Sequence, residues 1–309
     1  MRYTEFGPGK TKVSSVMLGL MRVDKMDAKA LSHLLHTSLE LGINAIDTAD
    51  IYAGGDSERL LGVVFAKEPG LRDKLFLQTK VGIHRDNGLT YYDFSKQYLL
   101  DATHASLKRL GVNQVDALLL HRPDILMDAN EVSEALSELR KEGLVKDSGV
   151  SNENPATMKR LQAACPFPLA ANQVQLSIAF APAFETVLNA NMECNDATMR
   201  DGGIFEYALA HDQVIQTWSS LQYGYFEGTF LDNPKFPELN KVLKRIAEEH
   251  GVTPAAIAIA WNLRYPGKMQ AIVGTTNEQH LADLAKGADI ELTRKEWYEL
   301  YMAAGRQLP

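Results

Sequence analysis

The chain has 309 residues, 45% of them hydrophobic and 23% charged, the balance of an ordinary globular protein with enough apolar material for one large core. A formal net charge of -7 and a pI near 5.7 argue against nucleic acid and anionic membranes as partners, because such binders display a basic face. Cys165 and Cys194 lack metal-site or CxxC spacing and predict no disulfide framework. With no charged-then-apolar leader and no apolar run of membrane-spanning length, the expectation is a cytoplasmic protein.

In chain order, Arg2 to Phe6 and Lys12 to Ser15 flank Gly7-Pro8-Gly9 and read as a short hairpin, suited to plugging a barrel floor. Apolar runs then alternate with stretches of helical periodicity. Strands are predicted at Val16 to Leu20, Asn44 to Asp47, Leu75 to Lys80, Val115 to His121, Val145 to Ser151, Ala170 to Gln175, Val214 to Ser219 and Gln270 to Gly274. Helices are predicted at Ala28 to Leu41, Ser57 to Ala66, Ser95 to Leu110, Asn130 to Glu142, Asn154 to Ala164, Phe205 to Ala210, Pro237 to Glu249, Pro254 to Arg264, Asn277 to Lys286 and Arg294 to Ala304.

The alternation is that of repeated βα units. Eight strands predict a single α/β domain over residues 1–309, a (β/α)8 TIM barrel with an N-terminal hairpin and two helices beyond the eightfold count. Glycines at 42, 111, 143 and 251 sit where helices close in the left-handed conformation. Asp27, Ser95 and Thr253 are placed to cap helix starts, and Pro254 suits a first helical position. Non-periodic stretches after Lys80, Gln175 and Ser219 read as insertions that shape a substrate site. The last carries Tyr223, Tyr225, Phe226, Phe230 and Phe236, a composition suited to a broad apolar pocket.

Asp47, Lys80 and His121 each end a mostly apolar run, and Tyr52 follows Asp47 by five residues. Parallel strands bring their carboxyl ends to one rim, so these four side chains are expected to converge at the barrel mouth. Taken singly, each has a plain structural role: an Asp capping the next helix, a Lys reaching solvent, a His ending its strand. Together they make a proton donor, because an ammonium beside a phenol favours the phenolate and lowers the tyrosine pKa towards working pH. Asp47 would hold the ammonium in place. His33 and His36, three apart on a helix, lack a third ligand and read as structural. His84 reads as a solvated loop residue, Met17 and Met21 as packing, and Lys244-Arg245 as an exposed helix face.

The run Gly42, Asp47, Thr48, Ala49, Tyr52 resembles the Gly-x-x-x-x-Asp-Thr-Ala-x-x-Tyr signature of the aldo-keto reductase superfamily, of the bacterial-type general oxidoreductase branch. Asp56 to Gly62, Leu118 to His121 with Pro123, and Gly143 to Asn152 are similar to three further family segments. The resemblance implies a catalytic tetrad of Asp47, Tyr52, Lys80 and His121, with NADP(H) as cofactor, no metal, and a small aldehyde or ketone as substrate. It implies that Ser151, Asn152 and Gln173 hydrogen-bond the nicotinamide carboxamide, that Trp218 stacks on its ring, and that Ser219, Leu221 and Gly224 line the pyrophosphate. Ser220 replaces a common proline there. Gly274, Thr275, Thr276, Asn277 and Gln279 resemble the segment holding the 2'-phosphate, with His280 where many members carry arginine. No G-x-G-x-x-G run follows the first strand, as expected where a barrel and not a doubly wound sheet carries the dinucleotide. Two other readings remain: a cofactor-binding regulatory or redox-sensing subunit of the same fold, and a Schiff-base aldolase using Lys80.

Overall fold

The computed structural model describes all 309 residues, beginning with the expected hairpin. Strand β1 (Tyr3–Phe6) pairs antiparallel with β2 (Thr11–Ser14). Gly7 turns the chain at φ 64°, and a Cβ there would lie 2.4 Å from an Asp147 carboxylate oxygen, so both conformation and space require glycine.

The chain then runs β3 (Val16–Gly19), α1 (Ala28–Glu40), β4 (Ala45–Asp47), α2 (Asp56–Lys67) and β5 (Phe76–Val81), followed by a hairpin of β6 (Ile83–Asp86) and β7 (Leu89–Tyr92). Next come α3 (Lys96–Leu110), β8 (Val115–Leu120), α4 (Ala129–Lys141), β9 (Val145–Ser151), α5 (Pro155–Ala164) and β10 (Ala171–Gln175). The last part holds α6 (Pro182–Leu188), α7 (Ile204–Ala210), β11 (Val214–Trp218), α8 (Pro237–His250), α9 (Pro254–Asn262), β12 (Met269–Val273), α10 (Glu278–Lys286) and α11 (Arg294–Ala303). Strands β3, β4, β5, β8, β9, β10, β11 and β12 are parallel and close into a barrel in that order. The predicted eight strands and ten helices are all present within two residues of their expected ends.

Two elements escaped the sequence reading. The β6–β7 hairpin and α6 both lie in stretches read as non-periodic. The hairpin is exposed along most of its length, so no buried face imposes alternation on it, and α6 is only seven residues long. Caps are mostly as expected: Asp27 accepts from the Ala30 N–H and Thr253 from Ala256, while Gly42, Gly111, Gly143 and Gly251 all have positive φ. Ser95 is the exception. Its side chain accepts nothing from α3; its own N–H instead donates to Asp93 Oδ1 at 2.8 Å.

Burial falls into layers. Phe6, Val13, Met17, Ala45, Phe76, Ala117, Leu119 and Ile272 fill the barrel floor, so the hairpin does plug it. A much larger apolar layer lies between strands and helices and explains α9, whose residues from Ala256 to Asn262 are all buried. Trp261 of α9 stacks on Trp297 of α11 at 4.8 Å. Above the floor the interior turns polar. Gln78, Gln173 and Gln216 form a hydrogen-bonded girdle, with Gln270 attached through Gln216. Unpaired amides at that depth would each cost about 1–3 kcal/mol, so mutual pairing is what makes a polar layer tolerable there. No helix is long and apolar enough to cross a membrane.

Candidate active site

The girdle supports Asp47 at the end of β4. Gln78 and Gln173 donate to Asp47 Oδ1 at 2.6 and 3.0 Å, and Lys80 Nζ donates to Oδ2 at 2.8 Å. Lys80, at the end of β5, is 0% exposed. Its other two donors reach the Thr48 carbonyl at 2.7 Å and Tyr52 Oη at 3.1 Å, so its three N–H groups meet three acceptors. Burial alone would depress the Lys80 ammonium, but Asp47 and Tyr52 outweigh it and the pKa is raised. Lys80 is therefore a fixed cation.

Tyr52 follows β4 on a tight turn in which Ala53, Gly54 and Gly55 all take positive φ. Its ring meets the His121 ring edge-to-face, with centroids 5.7 Å apart. The expectation that Lys80 would bring the phenol below its ordinary pKa is not met: burial raises it by more than the Lys80 charge lowers it. The hydroxyl is thus held in its protonated, donating form. His121, just past β8, is pushed well below the usual imidazole value by burial and by the charges of Lys80 and Arg122. It is neutral near pH 7 and has one ring N–H to donate, and its buried Nδ1 has no partner within the protein. Asp47, Tyr52, Lys80 and His121 thus come together at the barrel mouth.

Beside them, Trp218 Nε1 donates to Asn152 Oδ1 at 3.1 Å, Asn152 Nδ2 to Ser151 Oγ at 2.8 Å, and Ser151 Oγ to the Gln173 carbonyl at 2.9 Å. This chain orients the half-buried indole at the end of β11. Gln173 differs from Ser151 and Asn152 in where its amide points, since its N–H groups are spent on Asp47 and Gln216. Ser219 is held at φ 55°, Gly224 turns at φ 60°, and Ser220 is buried on Thr217. Leu221 packs partly buried against the core.

Gly274, Thr275 and Thr276 lead into α10, where Asn277 caps the helix by accepting from the His280 N–H at 3.0 Å. The N–H groups of Glu278 and Gln279 have no intrahelical acceptor, the usual state of a first turn and one that attracts anions. Thr276, Gln279 and His280 are exposed there. A half-buried indole, a serine–asparagine pair and an open helix start are a donor set that fits a nicotinamide dinucleotide.

Several residues differ from their expected roles. Of the five aromatics after Ser219, only Tyr225 and Phe226 approach Trp218, each with centroids 6.3 Å away; Phe230 is core, and Tyr223 packs on Phe236. His84 is only partly exposed, stacked on Tyr91 and packed at a tilt against Tyr98. His33 and His36, expected to be structural, each face a glutamate, Glu278 and Glu68 respectively. Asp50, which no sequence pattern singled out, has a buried Oδ1 without a partner and is pushed up to about 7 by burial and by Glu58.

A family model described as Aldo/keto reductase family matches residues 15–303. The chain is 33% identical to a 6-dehydroglucose reductase of Agrobacterium fabrum over 310 residues, covering 97% of each protein. It is 29% identical to the oxidoreductase YdhF of Escherichia coli, covering 96% of this chain and 95% of that protein. Among solved structures, the thermostable aldo-keto reductase Tm1743 with the inhibitor epalrestat superposes with a TM-score of 0.78 at 25% identity, covering 98% of this chain and all of that one. An aldo/keto reductase of Klebsiella pneumoniae in complex with NADP and acetate gives 0.74 at 25% identity, covering 97% and 94%.

Proposed function

Because the chain belongs to the aldo/keto reductase family, we propose that it is an NADP(H)-dependent oxidoreductase that reduces an aldehyde or ketone to an alcohol, with Tyr52 as proton donor. The observation that carries this reading is the seat of Lys80, a buried ammonium joined at once to the Asp47 carboxylate and the Tyr52 hydroxyl. NADPH, when bound, supplies the hydride that adds to the carbonyl carbon. Ser151 and Asn152 would hold the carboxamide and Trp218 the ring face. Ser219, Leu221 and Gly224 would line the pyrophosphate, and Gly274, Thr275, Thr276, Asn277, Gln279 and His280 the 2'-phosphate. Gln173 adds little to the carboxamide in this scheme, its amide hydrogens being committed to Asp47 and Gln216. The Klebsiella relative's complex with NADP supports the cofactor, and the Agrobacterium relative's name supports an aldehyde as substrate.

As negative charge grows on the carbonyl oxygen, Tyr52 gives up its proton to that oxygen. The Lys80 ammonium, 3.1 Å from Tyr52 Oη, stabilises the phenolate left behind. Asp47 keeps Lys80 in register, and neutral His121 donates its N–H to orient the oxygen. Donors placed before the charge develops stabilise the transition state more than the ground state, and each is worth about 3–4 kcal/mol. A Schiff-base role for Lys80 is disfavoured by the same geometry, because a raised pKa leaves the amine without the lone pair that attack requires.

The test is NADPH consumption across a panel of aliphatic, aromatic and sugar aldehydes, with Tyr52→Phe beside the wild type. The expected result is turnover that falls at least about a hundredfold in Tyr52→Phe while NADPH affinity holds. Tight NADPH binding without turnover of any carbonyl would favour a regulatory or redox-sensing subunit instead. Equal loss of turnover and cofactor affinity in the variant would remove Tyr52 from the donor role.

A further inference from the structure

Six arginines are half-buried: Arg72, Arg109, Arg122, Arg140, Arg264 and Arg306. Five of them bond protein acceptors: Asp116 for Arg72, Glu58 for Arg109, Asp147 for Arg140, the Leu292 carbonyl for Arg264 and Glu185 for Arg306. Arg122 alone has no hydrogen bond and no ion pair within the protein. Its guanidinium lies over the Trp218 ring at 5.4 Å and the Tyr225 ring at 5.9 Å, held by two aromatic faces with its N–H edge uncommitted.

Its position is at the chemistry. Arg122 directly follows His121 at the end of β8, and its charge acts on both His121 and Tyr52. The other charges there are already matched, Asp47 with Lys80 and Glu58 with Arg109, and Asp50 is held close to half-protonated at neutral pH. Arg122 is thus the cation at the mouth that no carboxylate bonds. Withdrawing a guanidinium partly from water without an acceptor is unfavourable, and an anion supplied from outside reverses that. The planar fork favours a carboxylate over a neutral group because it can pair with both oxygens at once.

We propose that Arg122 is a specificity-determining residue that binds a carboxylate on the substrate, so that the preferred substrates are aldehydes or ketones bearing a carboxylate. The proposal rests on the reductase reading above and names its substrate class. The carboxylate is unchanged in the reaction; it anchors one end of the molecule while the carbonyl faces Tyr52 and His121.

The experiment compares kcat/KM for 4-oxobutanoate, 5-oxopentanoate and 3-formylbenzoate with kcat/KM for their methyl esters, in wild type, Arg122→Gln and Arg122→Lys, with NADPH Kd measured on each protein. For at least one of the three acids, wild type is expected to prefer the acid over its ester by about 10- to 150-fold, the worth of a charge-assisted hydrogen bond. In Arg122→Gln that ratio should fall close to one, chiefly through KM. Arg122→Lys should lie between, since it keeps the charge and loses the fork. A wild type that treats acids and esters alike, or prefers neutral polyhydroxy aldehydes, overturns the proposal. So does an unchanged ratio with weakened NADPH binding in Arg122→Gln, which would make Arg122 a cofactor clamp. If wild type reduces no carbonyl at all, the reductase reading fails by itself. Calorimetry of the NADP+-loaded protein with 4-hydroxybutanoate against 1,4-butanediol then decides the carboxylate site: binding of the acid alone, lost in Arg122→Gln, supports it, and no binding of the acid overturns it.

Discussion

Replacing Lys80 by methionine leaves an unbranched apolar side chain one atom shorter and removes the only cation bonded to Asp47. Three acceptors lose their donor: Asp47 Oδ2, the Thr48 carbonyl and Tyr52 Oη, previously at 2.8, 2.7 and 3.1 Å. Breaking one side of a buried ion pair typically costs about 3–5 kcal/mol. Gln78 and Gln173 still donate to Asp47 Oδ1, which places the expected loss near the lower end, about 3 kcal/mol. For a chain of this length that is roughly 4–5 °C in Tm, read by circular dichroism at pH 7. Asp47→Asn in the Lys80→Met background should cost less than in wild type, because the carboxylate no longer has a partner to lose; a coupling of about 1–3 kcal/mol is expected.

The alkaline behaviour follows from the raised Lys80 pKa. A basic group whose folded pKa exceeds its unfolded value stabilises fully below the unfolded value, here 10.5, and that stabilisation is lost as pH rises through the folded pKa. The wild-type advantage over Lys80→Met should therefore be constant from pH 6 to 9 and shrink only above 10.5. Under the proposed mechanism turnover should fall about 100- to 1,000-fold in Lys80→Met, since a phenolate formed on Tyr52 would lose its neighbouring cation. A Tm within 2 °C of wild type at pH 7, or strictly additive single and double variants, would refute the coupling argument.

Other substitutions test packing and titration away from the mouth. Glu153 is fully buried with neither carboxylate oxygen hydrogen-bonded, and burial pushes its pKa up to about 7. A carboxyl raised in the folded state is most favourable below its ordinary value and loses stability as pH rises towards 7, so Glu153→Gln should be more thermostable than wild type at pH 8, by on the order of 3 kcal/mol, and equal to it near pH 4. A difference independent of pH in thermal scans would contradict this. Gly62 lets α2 approach α3 so closely that a Cβ would lie 2.3 Å from the Arg109 carbonyl oxygen. Gly62→Ala should therefore lower stability in a urea unfolding curve by about 1–3 kcal/mol despite alanine's better helix propensity, and a stabilised variant would show that the two helices part freely.

Much of the fold was legible because its signals are local. A buried parallel strand needs a short apolar run, a helix against it needs a 3.6-residue period, and closing glycines mark where one gives way to the other, as at Gly42, Gly111 and Gly251. The β6–β7 hairpin and α6 gave no such signal, the first for want of a buried face and the second for want of length. Asp47, Lys80 and His121 were legible for a related reason. A single charged or titratable residue closing an apolar run is either costly or placed at a rim, and a parallel barrel has one rim where all such ends meet.

The sequence by itself thus determined the order of strands and helices, the barrel class and the side chains gathered at its mouth, because each follows from the chemistry of neighbours a few residues apart. Only the tertiary structure decided what those side chains are bonded to and charged against. Gln173 reaches Asp47 from 126 positions away, Tyr52 keeps its proton because burial outweighs Lys80, and Arg122 is left without a counter-ion between Trp218 and Tyr225. The titration and bonding of a buried group are sums over everything packed around it, and folding brings most of those neighbours together from distant parts of the chain.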